Sequence, residues 1–223
     1  CVFSQMEDTQ ATGRLPFYCQ EEVATHNVAS DCWVSFFGYV YDLTPLIQEH
    51  KGALVQPILK YAGQDISHFF DPQTKDPKTW IHPELNIRVP YTPDGRYVHI
   101  PPPEPVSTWS TDIAVPWWRD ERYRVGQLST QRRLIRIVNL LTAQSDILQV
   151  CAEETLNEIR QRYVRYNSHI MGYTWKRLGR PLNMDRTLSE NGIIDEGANI
   201  PGADPEDLIP SLHIHFNDDL TVA

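Results

Sequence analysis

The chain has 223 residues, a formal net charge of -9 at pH 7, 41% hydrophobic residues and 22% charged residues. That length suits one large domain or two small ones, and the hydrophobic fraction supplies globular cores. The acidic balance excludes nucleic acid as the main partner, because phosphate binding needs a basic surface. No apolar run approaches the ~20 residues that span a bilayer, so no membrane association is expected.

Residues 1–14 are polar and aperiodic and read as a tail. No secretory signal pattern is visible, although the chain opens at Cys1 and a missing targeting segment stays open. Residues 15–100 read as a first domain. "CQEEVATHN", Cys19 to Asn27, predicts a helix whose acidic first turn complements the dipole. "CWVSFFGYVYDL", Cys32 to Leu43, is β-branched and aromatic about Gly38 and predicts a hairpin. "TPLIQEH" predicts a short helix capped by Thr44, with Pro45 at its first position and Gly52 beyond its end. His50 therefore falls at a helix terminus. The cysteines Cys1, Cys19, Cys32 and Cys151 form no C-x-x-C pair, so neither a structural zinc site nor a disulfide framework is expected. Free thiols in a reducing, intracellular compartment are expected instead.

"EEVATHN", "CWVSFFGYVYDLT", "EHKG" and "AGQD" occur in the order and spacing of the cytochrome b5-like haem-binding fold, which this stretch resembles from about Phe17 to Pro83. The resemblance implies haem as cofactor, with His50 at the first axial position. For the second, His82 in "TWIHPE" and His68 both stay open. Neutral imidazole is a good iron ligand. Leu46, Ile47, Leu54, Ile58, Leu59, Phe69 and Phe70 could wall a porphyrin. The family's H-P-G-G loop is here His50-Lys51-Gly52-Ala53, which loses the stiffening proline and adds a side chain at the second glycine. The alternative is a b5-like fold whose pocket is filled by its own side chains.

"VPYTPDGRYVHI" predicts a hairpin turning at Pro93-Asp94-Gly95. The proline density from Pro101 onward predicts extended backbone and a domain boundary. Residues 101–131 thus read as a Pro/Trp-rich linker. Its Trp109, Trp117 and Trp118 either pack back on a domain or anchor a partner.

Residues 132–217 read as a second domain, with a tail at 218–223. "RLIRIVNLLTAQSDILQV" predicts two strands, and Thr155 and Glu158 have capping-box spacing before the helical face of Leu156, Ile159 and Tyr163. "YTWKRLGRPL" predicts two short strands about a glycine turn, and "LHIHF" places Leu212, Ile214 and Phe216 on one side of a last strand. A β-β-α-β-β order is an α+β roll. With "ETLNEI" and "GRPLNMDRTLSENGI", the region resembles ubiquitin. The chain ends in "NDDLTVA" rather than a diglycine, so no conjugation through the C-terminus is expected, and Asp195 to Pro210 forms an acidic insertion. His213 and His215 read as a solvated strand face, and Arg160, Arg162 and Arg165 as a small basic face.

The fold class is therefore α+β, a cytochrome b5-like domain joined to a ubiquitin-like β-grasp domain. The combination, with "AGQDISHFFDP", "TPDGRYVHIPP" and "RYRVGQLS", resembles the cytochrome b5 domain-containing protein 1 family. That resemblance implies a non-enzymatic subunit of the ciliary or flagellar axoneme, partnered by radial spoke proteins, with haem-linked redox sensing. A soluble electron-transfer protein and a haem-free structural adaptor are the alternatives. No dinucleotide motif supplies a reductase, and no nucleophile–base pair supports a hydrolase.

Overall fold

The strand Asp31–Phe36, the third of the chain (β3), organises its first half, and the sequence explains why. Successive side chains of a strand point to opposite faces, and almost every residue of Asp31–Phe36 is buried. Cys32, Val34 and Phe36 enter the main core, whereas Trp33 joins Val23 and Val40 in a smaller cluster. The sheet is covered on both sides, which is why this stretch is buried almost throughout, Ser35 included, and does not alternate.

The computed structural model describes residues 14–104, 106–107, 109, 113, 115–195 and 208–217. The tails and most of the acidic insertion lie outside the described residues. The chain forms two units, Cys1–Leu128 and Ser129–Ala223. In chain order the first holds β1 (Phe17–Tyr18), α1 (Gln20–Thr25), β2 (Asn27–Val28), β3, β4 (Tyr39–Asp42), α2 (Thr44–Glu49), α3 (Gln56–Lys60), β5 (Thr79–Ile81), β6 (Arg88–Pro90) and β7 (Arg124–Leu128). Its main sheet has the order β1-β7-β4-β3-β2. The expected helix and hairpin near its start are present. The Cys19 amide donates to Glu22 Oε2 at 2.9 Å ahead of α1, and the β3–β4 turn uses positive φ at Phe37 and Gly38, as a two-residue hairpin requires.

Three expectations change. Thr44 does not cap α2. Leu43 holds that position, Asp42 Oδ1 accepts the Thr44 amide, and the Thr44 hydroxyl accepts the Cys32 amide, each at 2.9 Å. The hairpin expected about Pro93–Gly95 is only a turn, closed from the Gly95 amide to the Thr92 carbonyl. Its flanks do not pair, because Asp94 is taken by Lys60 and Tyr61 and Val98 and Ile100 turn into the core. The hairpin lies earlier, as β5 against β6. The stretch 101–131 is not a free linker. Trp117 and Trp118 are buried in the first unit, and β7 pairs parallel with β1 and antiparallel with β4. Gly126 permits that pairing, since a Cβ there would lie 2.5 Å from the Tyr18 ring. The boundary falls after Leu128, where this sheet ends.

The second unit contains β8 (Arg132–Asn139), β9 (Gln144–Cys151), α4 (Leu156–Tyr163), β10 (Tyr173–Arg177), β11 (Arg180–Pro181) and β12 (Ser211–Phe216). The strand order is β11-β10-β12-β8-β9, with β12 parallel to β8 and the other pairs antiparallel. The Thr155 amide donates to Glu158 Oε2 at 2.7 Å and the Glu158 amide to the Thr155 hydroxyl at 3.3 Å, which is the expected capping box. Leu156, Ile159 and Tyr163 bury against Ile135, Ile137, Leu148, Trp175, Leu212 and Ile214. Phe216, expected on the same side, is 52% exposed at the strand end beside Tyr173. The basic face on α4 is not a cluster, because Arg162 is paired at 2.5 Å with the buried carboxylate of Glu154. His213 and His215 lie half-buried on β12, alternating with the buried Leu212 and Ile214.

Candidate haem cleft

His50 closes α2. Its amide donates to the Leu46 carbonyl as the helix ends, and Gly52 follows at φ 120°. That φ is open to glycine and closed to most side chains, so the loop after His50 keeps the one family glycine it needs. The imidazole is half-buried and faces His99, with ring centroids 5.6 Å apart and planes at 84°.

His99 was not anticipated as the histidine facing His50. It sits at φ 69°, in the left-handed region where His is tolerated more often than most residues. Its Nδ1 accepts the Trp117 amide at 2.9 Å. A backbone N–H can only donate, so neutral His99 carries its proton on Nε2. Burial first, and then the neighbouring His50, hold His99 below the usual imidazole range, which keeps it neutral. No periodicity in "GRYVHIPP" announces this position; a histidine beside a run of prolines is the only mark it leaves.

The other two histidines lie elsewhere. His82 is at the start of the β5–β6 turn. Its Nδ1 accepts the amides of Glu84 and Leu85 at 3.3 Å each, and its ring lies 5.8 Å from Trp80. His68 is exposed, with its ring 3.9 Å from Phe69 and 6.2 Å from Tyr61. Among the described residues, the imidazole recorded against His50 is that of His99, so neither His82 nor His68 is brought to it. The tautomers of His82 and His99 place the proton on Nε2, whereas a metal-bound imidazole needs a free lone pair on the ligating nitrogen.

The expected porphyrin wall assembles. Leu46, Ile47, Ile58 and Phe70 are buried together, with Leu54, Leu59 and Phe69 packed against them. The same cluster also contains Val98, Ile100, Trp117 and Trp118. Trp117 is 2% exposed. Its indole donates to the Val98 carbonyl at 3.2 Å, and its ring meets Phe70 edge-on at 6.1 Å. Trp118 donates to Asp76 Oδ1 at 3.2 Å, and Arg119 pairs with the same carboxylate at 2.6 Å. An indole buries roughly 150–250 Å², or about 4–6 kcal/mol of transfer free energy at ~25 cal/mol per Å². This cover is therefore part of the core and not a loose flap.

The cavity left beside Ile58, Phe69, Phe70 and Trp117 is about 40 Å³ and almost wholly apolar. Cofactor clefts are on the order of hundreds of Å³. The donor chemistry of His50 suits haem iron, but the apolar core beside it is filled by the chain's own Val98, Ile100, Trp117 and Trp118, so the residues as they stand do not fit a porphyrin. The free thiols of the unit are equally enclosed. Cys19 and Cys32 are buried, and burial, reinforced by Asp42 and Asp31, pushes the Cys32 thiol up to about 12. No helix among the described residues is long and apolar enough to cross a membrane.

Comparison with known proteins gives the family. Residues 20–129 match the family described as cytochrome b5-like haem/steroid binding domain. Over 211 residues the chain is 50% identical to cytochrome b5 domain-containing protein 1 of Xenopus laevis, covering 93% of this chain and 97% of the relative. It is 50% identical to the protein of the same name in Mus musculus, over 92% of this chain and 91% of the relative. Cytochrome b5 reductase 4 of Xenopus tropicalis is 40% identical over 28% of this chain and 12% of its own length. The solved cytochrome b558 of Ectothiorhodospira vacuolata is 23% identical and covers 51% of this chain and 99% of its own, at a TM-score of 0.28. The chain therefore belongs to the cytochrome b5 domain-containing protein 1 family.

Proposed function

We propose that this chain is a non-enzymatic subunit of the ciliary and flagellar axoneme, held among radial spoke proteins. In this reading its b5-like unit takes up haem through His50 and senses redox state, and its second unit is a ubiquitin-like module that binds protein. The observation that carries it is the reach of the similarity. It runs through both units, whereas the likeness to a reductase is confined to a short stretch and a small part of that enzyme. The similarity thus treats the two units as one piece.

The second unit supports the ubiquitin-like reading by its strand order, its central parallel pair and the packing of α4 into its core. Haem, when bound, would supply one-electron chemistry. The chain's own part is to hold His50 at the end of α2 and to exclude water with Phe69, Phe70 and their neighbours. A haem-free adaptor is the second reading, favoured by the core that Val98, Ile100, Trp117 and Trp118 fill.

Two measurements test these readings. Tagged protein should sediment with detergent-extracted axonemes and fall away from axonemes that lack radial spokes; recovery only in the detergent-soluble fraction would refute the axonemal role. Haemin titration of the purified chain should give a low-spin absorption spectrum that requires His50. A spectrum indifferent to His50→Ala would end the haem reading and leave the adaptor.

A further inference from the structure

We infer that the recess between the β5–β6 hairpin and the segment from Tyr91 to Pro103 binds a small planar anion, an aromatic carboxylate or sulfonate of one or two rings. Neither His50 nor His99 lines this recess, so the inference stands apart from the haem reading above.

The shape suits such a ligand. The recess has a volume of about 540 Å³, and small-molecule sites occupy roughly 300–1,000 Å³. Trp80 and Tyr91 line it while 44% and 41% exposed. Their rings stand 6.2 Å apart at 82°. That corner offers a flat guest one face to stack on and one edge to meet, the two arrangements aromatic rings prefer. The prolines Pro90, Pro93, Pro101 and Pro103 form much of the remaining wall. Their fixed φ leaves little backbone entropy to lose when a guest is held. The hairpin that carries Trp80 pairs with no other strand. Alternation along β5 sends Ile81, 62% exposed, to the opposite side.

The polar groups of the recess set the sign of the charge. Arg96 lines it. One guanidinium N–H donates to the Ile100 carbonyl at 3.3 Å, and the guanidinium carbon lies 5.5 Å from the centre of the Trp109 ring. These contacts orient the side chain and leave other donors of its fork for a guest. His82 also lines the recess. Its Nδ1 accepts two backbone amides, so its Nε2 carries a proton and donates, with no lone pair left for a metal. Among the described lining residues there is a cation and no carboxylate, in a chain whose net charge is -9. Donors gathered on apolar walls favour an anion, because a charge is screened less there than in open water.

The experiment titrates the full chain with anilinonaphthalene sulfonate, read by its fluorescence, and with the uncharged phenylnaphthylamine. Wild type is compared with Trp80→Ala, Arg96→Gln and Ile81→Ala. Wild type should bind the sulfonate at least tenfold more tightly than either Trp80→Ala or Arg96→Gln, since the first loses the stacking face and the second a charge-assisted hydrogen bond. Ile81→Ala, which removes exposed apolar surface outside the recess, should match wild type. The uncharged probe should bind wild type at least tenfold more weakly than the sulfonate and should not distinguish wild type from Arg96→Gln. If Arg96→Gln fails to fold, weakening of the wild-type sulfonate complex by added salt, absent for the uncharged probe, carries the same test. Equal sulfonate binding by wild type, Trp80→Ala and Arg96→Gln would overturn the inference, as would no binding by wild type. Equal affinity of wild type for the two probes would overturn it as well.

Discussion

The two units bury their cores by different means. In the second unit, Ile135, Ile137, Leu148, Val150, Leu212 and Ile214 come from strands and Leu156, Ile159 and Tyr163 from one helix. In the first unit, Val98 and Ile100 lie in no helix or strand, and Trp117 comes from a single helical turn. The regular core is assembled from elements that each announce a buried face. The irregular core borrows residues from segments that, read locally, look like linker. A cleft roofed by borrowed residues is closed by contacts that no local element announces, and this is the half of the molecule that matches the family's haem/steroid binding model.

Large-to-small changes in the two cores should separate these cases most widely. Trp175→Ala removes a 1%-exposed indole from the second core and is expected to cost ~3–5 kcal/mol. Trp117→Ala should fall at or below the low end of that range, because its segment can retreat and leave less cavity behind. Denaturant unfolding of each variant measures both, and equal losses would argue that the roof is as fixed as a strand.

Ion pairs give the next contrast. Arg162→Met removes the ion-pair partner of the Glu154 carboxylate, which is 3% exposed and also accepts the Cys151 amide at 2.7 Å. A loss of ~3–5 kcal/mol is expected. Arg119→Met in the first unit breaks a pair with Asp76 whose side chains are 50% and 44% exposed, and the change should stay under ~1 kcal/mol. Urea midpoints read at constant slope decide whether the second unit is the one that depends on a buried charge pair.

Two threonines sharpen the comparison further. Thr155→Ala loses a capping box and should cost about 1 kcal/mol. Thr44→Ala removes the acceptor of the Cys32 amide, at ~1–3 kcal/mol for a buried donor left unpaired. Hydrogen exchange should then rise at Cys32 and not along α2. Faster exchange along α2 instead would restore Thr44 as a cap.

The smallest expected effect is on Cys32. With its thiol pushed up to about 12 by burial, the thiolate fraction at pH 8 is on the order of 10⁻⁴. Maleimide should leave Cys32 unlabelled in the native protein and label it on unfolding. Labelling of native Cys32 would reopen a redox role for this thiol.

Much of the second unit was legible because its signals are local. Strict alternation in "LHIHF", the Thr155–Glu158 spacing and the glycine turn at Gly179 each name an element without reference to the rest of the chain. Phe216 departs from the alternation only where the strand runs out. The first unit was legible as far as α2 for the same reason. Beyond it, "VPYTPDGRYVHI" has the alternation of a strand, yet Asp94 is captured by Lys60 and Tyr61 at the end of α3 and Val98 and Ile100 are drawn inward. Proline density from Pro101 predicts extended backbone, but it does not say where that backbone goes.

The sequence by itself determined the two-unit plan, the hairpin and helix that present His50, the sheet-and-helix order of the second unit, and the family. Each of these rests on periodicity, turn chemistry or motif spacing, which act over a few residues. Only the tertiary structure decided that β7 belongs to the first sheet, that His99 rather than His82 or His68 faces His50, and that Trp117 fills the space beside them. Those outcomes depend on contacts between residues dozens of positions apart. There the free energy of burying an indole outweighs any local preference of the segment that carries it.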